Sequence, residues 1–375
     1  MNILELGKFY TPHHGGIETL LRSWCEGFTE KGARVDCVVA NDGPRTRSEI
    51  RSGVFVHRCA SYGTVFSTSI SPRYLLMARN IPSTLCHLHA PNPLADLAAA
   101  LCLGRRKLVI SYHSDIIRQA RALRCYGPLL RHVLSRASRI IVATPKHFEY
   151  SPWLAEHESR VRCIPFGIDL RRFEANVRDE GTISKIRGLA QGRKIILTVG
   201  RLVGYKGQRF LIEACRNLDV ELWIVGSGPL DSELRCLAHE LGIEGRTRFW
   251  GSIDDALLAS VLHACDVFVL PSITANEAFG LVQVEAMACQ KPVISCDLKS
   301  GVPFVNRHGH TGLIVPPGDP AALAHALKEV LSNQPMALQM GVSGKERAHA
   351  EFALQVMIDR YWQCFTDLAR ENSSA

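Results

Sequence analysis

The stretch Glu277-Ala-Phe-Gly-Leu-Val-Gln-Val-Glu285 holds two carboxylates on either side of a small, apolar turn. Read as a loop that opens a helix near Gly280, it leaves the amides of Phe279, Gly280 and Leu281 without helical partners. Such amides suit a phosphate. Gly280 has no Cβ to hold a ligand off. Glu277 at the mouth would accept hydrogen bonds from sugar hydroxyls. Glu285, about one and a half turns into the helix, would reach those of a ribose. A capped helix with two solvated acids would look the same.

Four further stretches point the same way. Gly200-Arg201-Leu-Val-Gly204-Tyr205-Lys206-Gly207 places two cations on a glycine-rich loop. Arg201 and Lys206 suit a diphosphate that gains charge as it leaves, although surface basics on a solvated loop read alike. Gly226-Ser-Gly228-Pro229 offers amides to a phosphate, or is only a tight strand-to-helix turn. Gly15-Gly16, after Tyr10-Thr-Pro-His-His, lets amides face a ligand at the first strand-to-helix turn. Tyr112-His113-Ser114-Asp115 sets His113 just beyond a strand, for contact with a sugar or an attacking hydroxyl. Among 15 histidines, His13, His14, His87 and His89 compete with it, and Asp115 could simply hold it in place.

These stretches share one placement, the carboxyl end of a strand. Apolar runs at Asn2–Leu6, Arg34–Ala40, Val54–Arg58, Thr84–His89, Lys107–Tyr112, Arg139–Ala143 and Arg160–Ile164 alternate with amphipathic segments. A second series starts at Lys194–Val199 and continues through Asp219–Val225, Thr247–Trp250, Val267–Leu270 and Pro292–Cys296. Strands alternating with helices predict parallel α/β sheets. The break predicts two Rossmann-like domains, 1–165 and 194–352, joined by a linker at 166–193 and facing across a cleft. Ligands of such sheets sit beyond the carboxyl ends of the strands.

Composition narrows the class. Residues 1–165 carry 22 Lys and Arg against 12 Asp and Glu, whereas the rest of the chain is nearly balanced. The first half is therefore suited to an acidic partner. Residues 116–148 hold no acid but seven Arg and Lys. Arg118, Arg121 and Arg124 fall on nearly one helix face. With Leu123, Leu129, Leu130, Val133 and Leu134 nearby, they suit an anionic leaflet and a lipid-diphosphate acceptor, or form a solvated basic surface. Basic residues are not interleaved with aromatics, which argues against nucleic acid. The opening residues lack a signal-peptide pattern, and no run reaches the roughly 20 apolar residues of a membrane span. A cytoplasmic protein, peripheral on the inner face of the plasma membrane, is expected. The 13 scattered cysteines, with no C-x-x-C pair, predict reduced and mostly buried thiols rather than disulfides or a zinc site.

On Gly15-Gly16, His113, Arg201 with Lys206, and the Glu277-x7-Glu285 pair, the chain closely resembles glycosyltransferase family 4, of the two-Rossmann GT-B type. The resemblance covers essentially the whole chain. It implies a retaining, metal-independent sugar transfer from a nucleotide diphosphate sugar, with no cofactor beyond that substrate. By resemblance, Arg201 and Lys206 hold the diphosphate, Glu277 and the following amides the sugar, and Glu285 the ribose. His113 lines the reacting centre, and the loop around Ile253 lies against the base. A last helix, about 353–369, crosses back onto the first domain. Leu6-Gly-Lys-Phe-Tyr-Thr-Pro, Tyr112-His-Ser-Asp-Ile-Ile-Arg-Gln and Phe279-Gly-Leu-Val-Gln look like the subgroup that builds bacterial O-antigen and capsule with GDP-mannose or GDP-rhamnose. A UDP-sugar enzyme with another acceptor, or a non-catalytic nucleotide-sugar sensor, are the alternatives. A sensor would be expected to lose Lys206 or Glu277, and both are present. A nicotinamide enzyme needs G-x-G-x-x-G after a strand, and no stretch supplies it.

Overall fold

Largely apolar runs become buried parallel strands, and this sets both halves of the chain. The computed structural model describes residues 1–13, 16–65, 68–114, 120–174 and 179–371, without the side chains of 120–125. Two units result: Met1–Phe166 together with the stretch from Leu354 onward, and Gly167–Ala353.

The first unit begins with β1 (Asn2–Leu6), α1 (Gly16–Glu30), β2 (Arg34–Ala40), β3 (Arg47–Arg51) and β4 (Val54–Cys59). A short antiparallel pair, β5 (Thr64–Val65) and β6 (Thr68–Ser69), precedes α2 (Pro72–Asn80). Then follow β7 (Leu85–Ala90), α3 (Pro93–Cys102), β8 (Lys107–Tyr112), α4 (Ala120–Arg136), β9 (Arg139–Val142), α5 (Pro145–Tyr150) and β10 (Val161–Cys163). The sheet runs β10-β9-β8-β7-β1-β2-β4-β3 and is parallel except for β3. β7 is buried at every position, as expected of a strand covered on both faces. β3 is exposed at every position. Its sequence, Arg-Ser-Glu-Ile-Arg, carries no apolar pattern and reads as loop, yet a polar strand is what an unpaired sheet edge favours.

The second unit holds α6 (Glu180–Gly188), β11 (Lys194–Val199), α7 (Gln208–Cys215), β12 (Val220–Val225), α8 (Asp231–Glu240), β13 (Thr247–Gly251) and α9 (Asp255–Ala264). It continues with β14 (Val267–Leu270), α10 (Leu281–Ala288), β15 (Val293–Cys296), α11 (Val302–Val305), β16 (Gly312–Val315), α12 (Pro320–Ser332) and α13 (Gln334–Glu351). All six strands are parallel, in the order β13-β12-β11-β14-β15-β16. Counted within the unit this is 3-2-1-4-5-6, whose order reverses between β11 and β14.

The segment expected as a linker folds with the second unit from Gly167 onward. Phe173, Ile183 and Ile186 are buried, and α6 packs on α9. The sequence predicts a short helix near 181–190 there, which α6 forms, but three separated apolar residues among charges are too few to announce its packing within the second unit. The last helix, α14 (Leu354–Arg370), belongs to the first unit. It buries Met357, Ile358, Tyr361, Phe365 and Leu368, a helical stripe. Tyr361 meets Trp24 at 5.4 Å between ring centroids, and Phe365 meets Phe28 at 5.0 Å. Lys31 pairs with Asp359 at 2.5 Å. The described cysteines are free thiols, eight of them buried.

Candidate active site

The reversal between β11 and β14 leaves the loops after these two strands as neighbours, and they lock together. The Ile273 amide donates to the Tyr205 carbonyl at 2.8 Å. Lys206 Nζ thereby reaches Glu277 Oε2 at 2.6 Å, and Ser272 Oγ donates to the same oxygen at 2.9 Å. Both ionic side chains are largely buried, at 13% and 11% exposure. A compact cation is thus held beside a carboxylate at a sheet's switch point, where such folds bind phosphorylated ligands. Arg201, on the same loop, is exposed, and its guanidinium has no partner among the described residues.

Gly280 sits in the left-handed region, at φ 73° and ψ 55°, and precedes α10 without any side-chain cap. A Cβ there would lie 2.7 Å from Leu270 Cδ2. The amides of Gly280, Leu281 and Val282 donate to no other described group. Phe279 is buried and meets Phe352 edge-on at 5.8 Å. The helix therefore opens with free donors close to Glu277 in the chain, and its positive end favours an anion.

Glu285, farther along α10, is not free. Arg172 donates to Glu285 Oε1 and to Asp255 Oδ2, each at 2.6 Å. Burial pushes the Glu285 carboxyl up to about 7, against the lowering effect of Arg172 and with some help from Asp255. Arg172 lies in the segment expected as a linker, and nothing in its sequence surroundings marks it as a partner of a residue 113 positions away.

The glycines at 226 and 228 have a packing reason. A Cβ on Gly226 would stand 2.0 Å from the Gly200 carbonyl oxygen, and one on Gly228 2.4 Å from that of Leu202. The Leu202 amide donates to the Ser227 carbonyl at 3.0 Å. This turn thus props the Arg201 loop from below. Ile253 is half-buried after β13, in a loop tied to the same turn by Ser252 and Ser227 at 2.9 Å.

In the first unit His113 follows β8 and is buried, where the sequence left its surroundings open. His113 Nε2 lies 3.2 Å from His89 Nδ1, with the two rings stacked at 3°. His89 Nε2 lies 3.1 Å from Glu5 Oε2, and His87 Nδ1 lies 3.0 Å from Glu5 Oε1. His87 Nε2 then meets Ser111 Oγ at 2.7 Å, and Ser111 Oγ meets the Tyr361 hydroxyl at 2.8 Å. Burial opposes the charge of Glu5, but attraction and hydrogen bonding from His87 and His89 outweigh it and hold the carboxyl at about 2. Burial, then the neighbouring His87, lowers His89 to about 4. Burial, then His89, His87 and His147, holds His113 well below the usual histidine range. Alternation placed His87 and His89 on one face of a strand, but nothing local tied them to Glu5.

Gly16 opens α1, and a Cβ there would meet no atom of the described residues within 4 Å. Gly15 and Arg118 lie outside the described residues, as do the side chains of Arg121 and Arg124.

Residues 14–172 match the family Glycosyltransferase Family 4, and residues 179–347 match Glycosyl transferases group 1. D-rhamnosyltransferase WbpZ of Pseudomonas aeruginosa is 32% identical, over 92% of this chain and 91% of its own. The chain belongs to glycosyltransferase family 4. Another relative of this family 4 chain, O-antigen chain mannosyltransferase C of Escherichia coli, is 27% identical over the full length of both. HepE of Anabaena, solved in complex with UDP, shares the fold at a TM-score of 0.81 and 21% identity, over 98% of this chain and all of its own. The family 4 chain is thus a glycosyltransferase of GT-B type with two parallel-sheet units. Among the described residues, no helix of this glycosyltransferase is long and apolar enough to cross a membrane.

Proposed function

We propose that this glycosyltransferase moves mannose, or a deoxy-mannose such as rhamnose, from a GDP-sugar to a lipid-linked saccharide in bacterial surface polysaccharide synthesis. The observation that carries the reading is the Lys206–Glu277–Ser272 cluster beside the free amides of α10. Arg201, Lys206 and those amides hold the diphosphate. Glu277 accepts from hydroxyls of the sugar, and Glu285 accepts from the ribose. Ile253 lies against the base, with the 226–228 turn holding the Arg201 loop. Gly15 and Gly16 offer their amides to the ligand in this reading, and no described atom fills the Cβ position of Gly16.

Transfer proceeds with retention. The acceptor oxygen forms its bond to the anomeric carbon on the face from which the diphosphate departs, and the acceptor proton passes to the departing phosphate oxygen. Lys206, Arg201 and the α10 amides stabilise the charge that develops there. His113 contacts the transferred sugar or the incoming hydroxyl. The choice of sugar and acceptor follows two relatives, a rhamnosyltransferase at 32% identity and an O-antigen mannosyltransferase at 27%, both matched over more than nine-tenths of their length.

The test is a panel of GDP-, UDP- and dTDP-sugars, read by nucleotide release and by thermal shift with GDP, UDP, ADP and NAD. GDP-mannose or GDP-rhamnose is expected to be turned over fastest, with GDP giving the largest shift. Turnover of UDP-sugars alone replaces the donor assignment, the second reading that the UDP complex of HepE favours. A response to NAD alone removes the transferase reading.

Arg118, Arg121 and Arg124 are assigned to the anionic membrane and the lipid-linked acceptor in this proposal. Flotation with anionic vesicles at low salt is expected to carry the protein upward, and adding salt is expected to release it. Absence of flotation at low salt would remove the membrane surface.

A further inference from the structure

The buried chain from Glu5 to His113 obeys a strict proton count. Ionised Glu5 accepts only, so His89 must donate through Nε2. His89 is neutral in its buried place, which leaves its Nδ1 as an acceptor. The single proton in the 3.2 Å contact between the two stacked rings therefore belongs to His113 Nε2. His113 Nδ1, which has no partner among the described residues, is then a lone pair. Trp24 and Phe166 flank the ring at centroid distances of 5.9 and 5.6 Å and keep it in register.

We infer that Glu5 and His89 are positioning residues that fix His113 as its Nε2–H tautomer, so that Nδ1 accepts a hydrogen bond from a saccharide hydroxyl. The inference rests on the reading of His113 as a sugar-contacting residue. A histidine free to exchange tautomers would present a donor at Nδ1 part of the time, and a donor cannot accept the proton of a hydroxyl. The branch through His87, Ser111 and Tyr361 supports Glu5 from the other side and ties it to α14, but it does not set the state of His113.

The experiment is long-range proton–nitrogen NMR on the full chain labelled at histidine nitrogens, with His113 assigned by His113→Gln. Near neutral pH, His113 is expected to carry its proton on Nε2 and to stay neutral. Glu5→Gln offers one acceptor where two N–H groups arrive, so one ring must reverse. A mixture of His113 tautomers is expected, with kcat down at least about 10-fold and donor KM within about 2-fold. His89→Phe, which keeps the ring volume, is expected to give the same loss should Glu5→Gln fail to fold. Ser111→Ala breaks only the other branch; it is expected to lower Tm while leaving kcat within about 2-fold.

His113 protonated on Nδ1, one equivalent of metal bound to the purified chain, or Ser111→Ala losing as much turnover as Glu5→Gln would each overturn the inference. Full turnover in His113→Ala would instead overturn the role given to His113 itself, whatever tautomer the spectra show.

Discussion

Replacing Lys206 with alanine is expected to lower kcat at least about 100-fold, the scale of losing one preorganised group aimed at developing charge. Lys206 is held by structure rather than by the ligand. Its loop is clasped by the loop after β14, and its ammonium already rests 2.6 Å from Glu277. Little reorganisation is needed when a diphosphate arrives, which is why the loss should fall on kcat more than on donor KM. The substitution also strips Glu277 of its ionic partner and leaves Ser272 as the one hydrogen-bond partner of its carboxylate among the described residues. A parallel Lys206→Arg variant keeps the charge but not the compact head, and should recover only part of the activity. Single-turnover rates with saturating donor would separate chemistry from binding. Wild-type turnover in Lys206→Ala would count heavily against the diphosphate assignment.

Glu285→Gln is expected to stabilise the protein at alkaline pH while raising donor KM. The Glu285 carboxyl stands at about 7 in the folded chain against 4.5 for an ordinary glutamate, because burial outweighs the ion pair with Arg172. Between those values the folded state binds more protons than the unfolded one. Stability therefore falls as pH rises through that window, and the full cost applies above about 7. It amounts to about 3 kcal/mol at most. Glutamine removes the cost, and Arg172 keeps Asp255 as partner. Melting curves should show the Tm advantage of the variant widening from about pH 5 to about pH 8. An advantage that shrinks over that range would mean the ion pair, not burial, governs Glu285. A carboxylate kept at such a cost fits a role in ligand recognition, since active sites give up stability for function.

The fold of this glycosyltransferase was legible in its sequence to the extent that its causes are local. Strands buried on both faces favour near-continuous apolar runs, and β14, Val-Phe-Val-Leu, is buried at every position. Phosphate-handling loops need glycine and cations directly after such runs, so Arg201, Lys206, Glu277 and Gly280 stood out by position alone. Where the cause was distant, the sequence was silent or ambiguous. β3 exists because a polar edge pairs with β4, and no apolar pattern marks it. Gly226 and Gly228 read equally as a phosphate turn or a tight strand-to-helix turn, and only the fold shows that backbone from another strand's loop fills the space a Cβ would need.

The residues that tune the candidate site were the least visible. Arg172 finds Glu285 across 113 positions, and Glu5 finds His87 and His89 across 82 and 84. Sequence by itself determined most of the buried strands and amphipathic helices and which loops are candidates for the chemistry, because both follow from patterns a few residues long. Only the tertiary structure decided which charges and ring nitrogens share a proton, because burial and contact geometry are set by neighbours that the chain brings together from far apart.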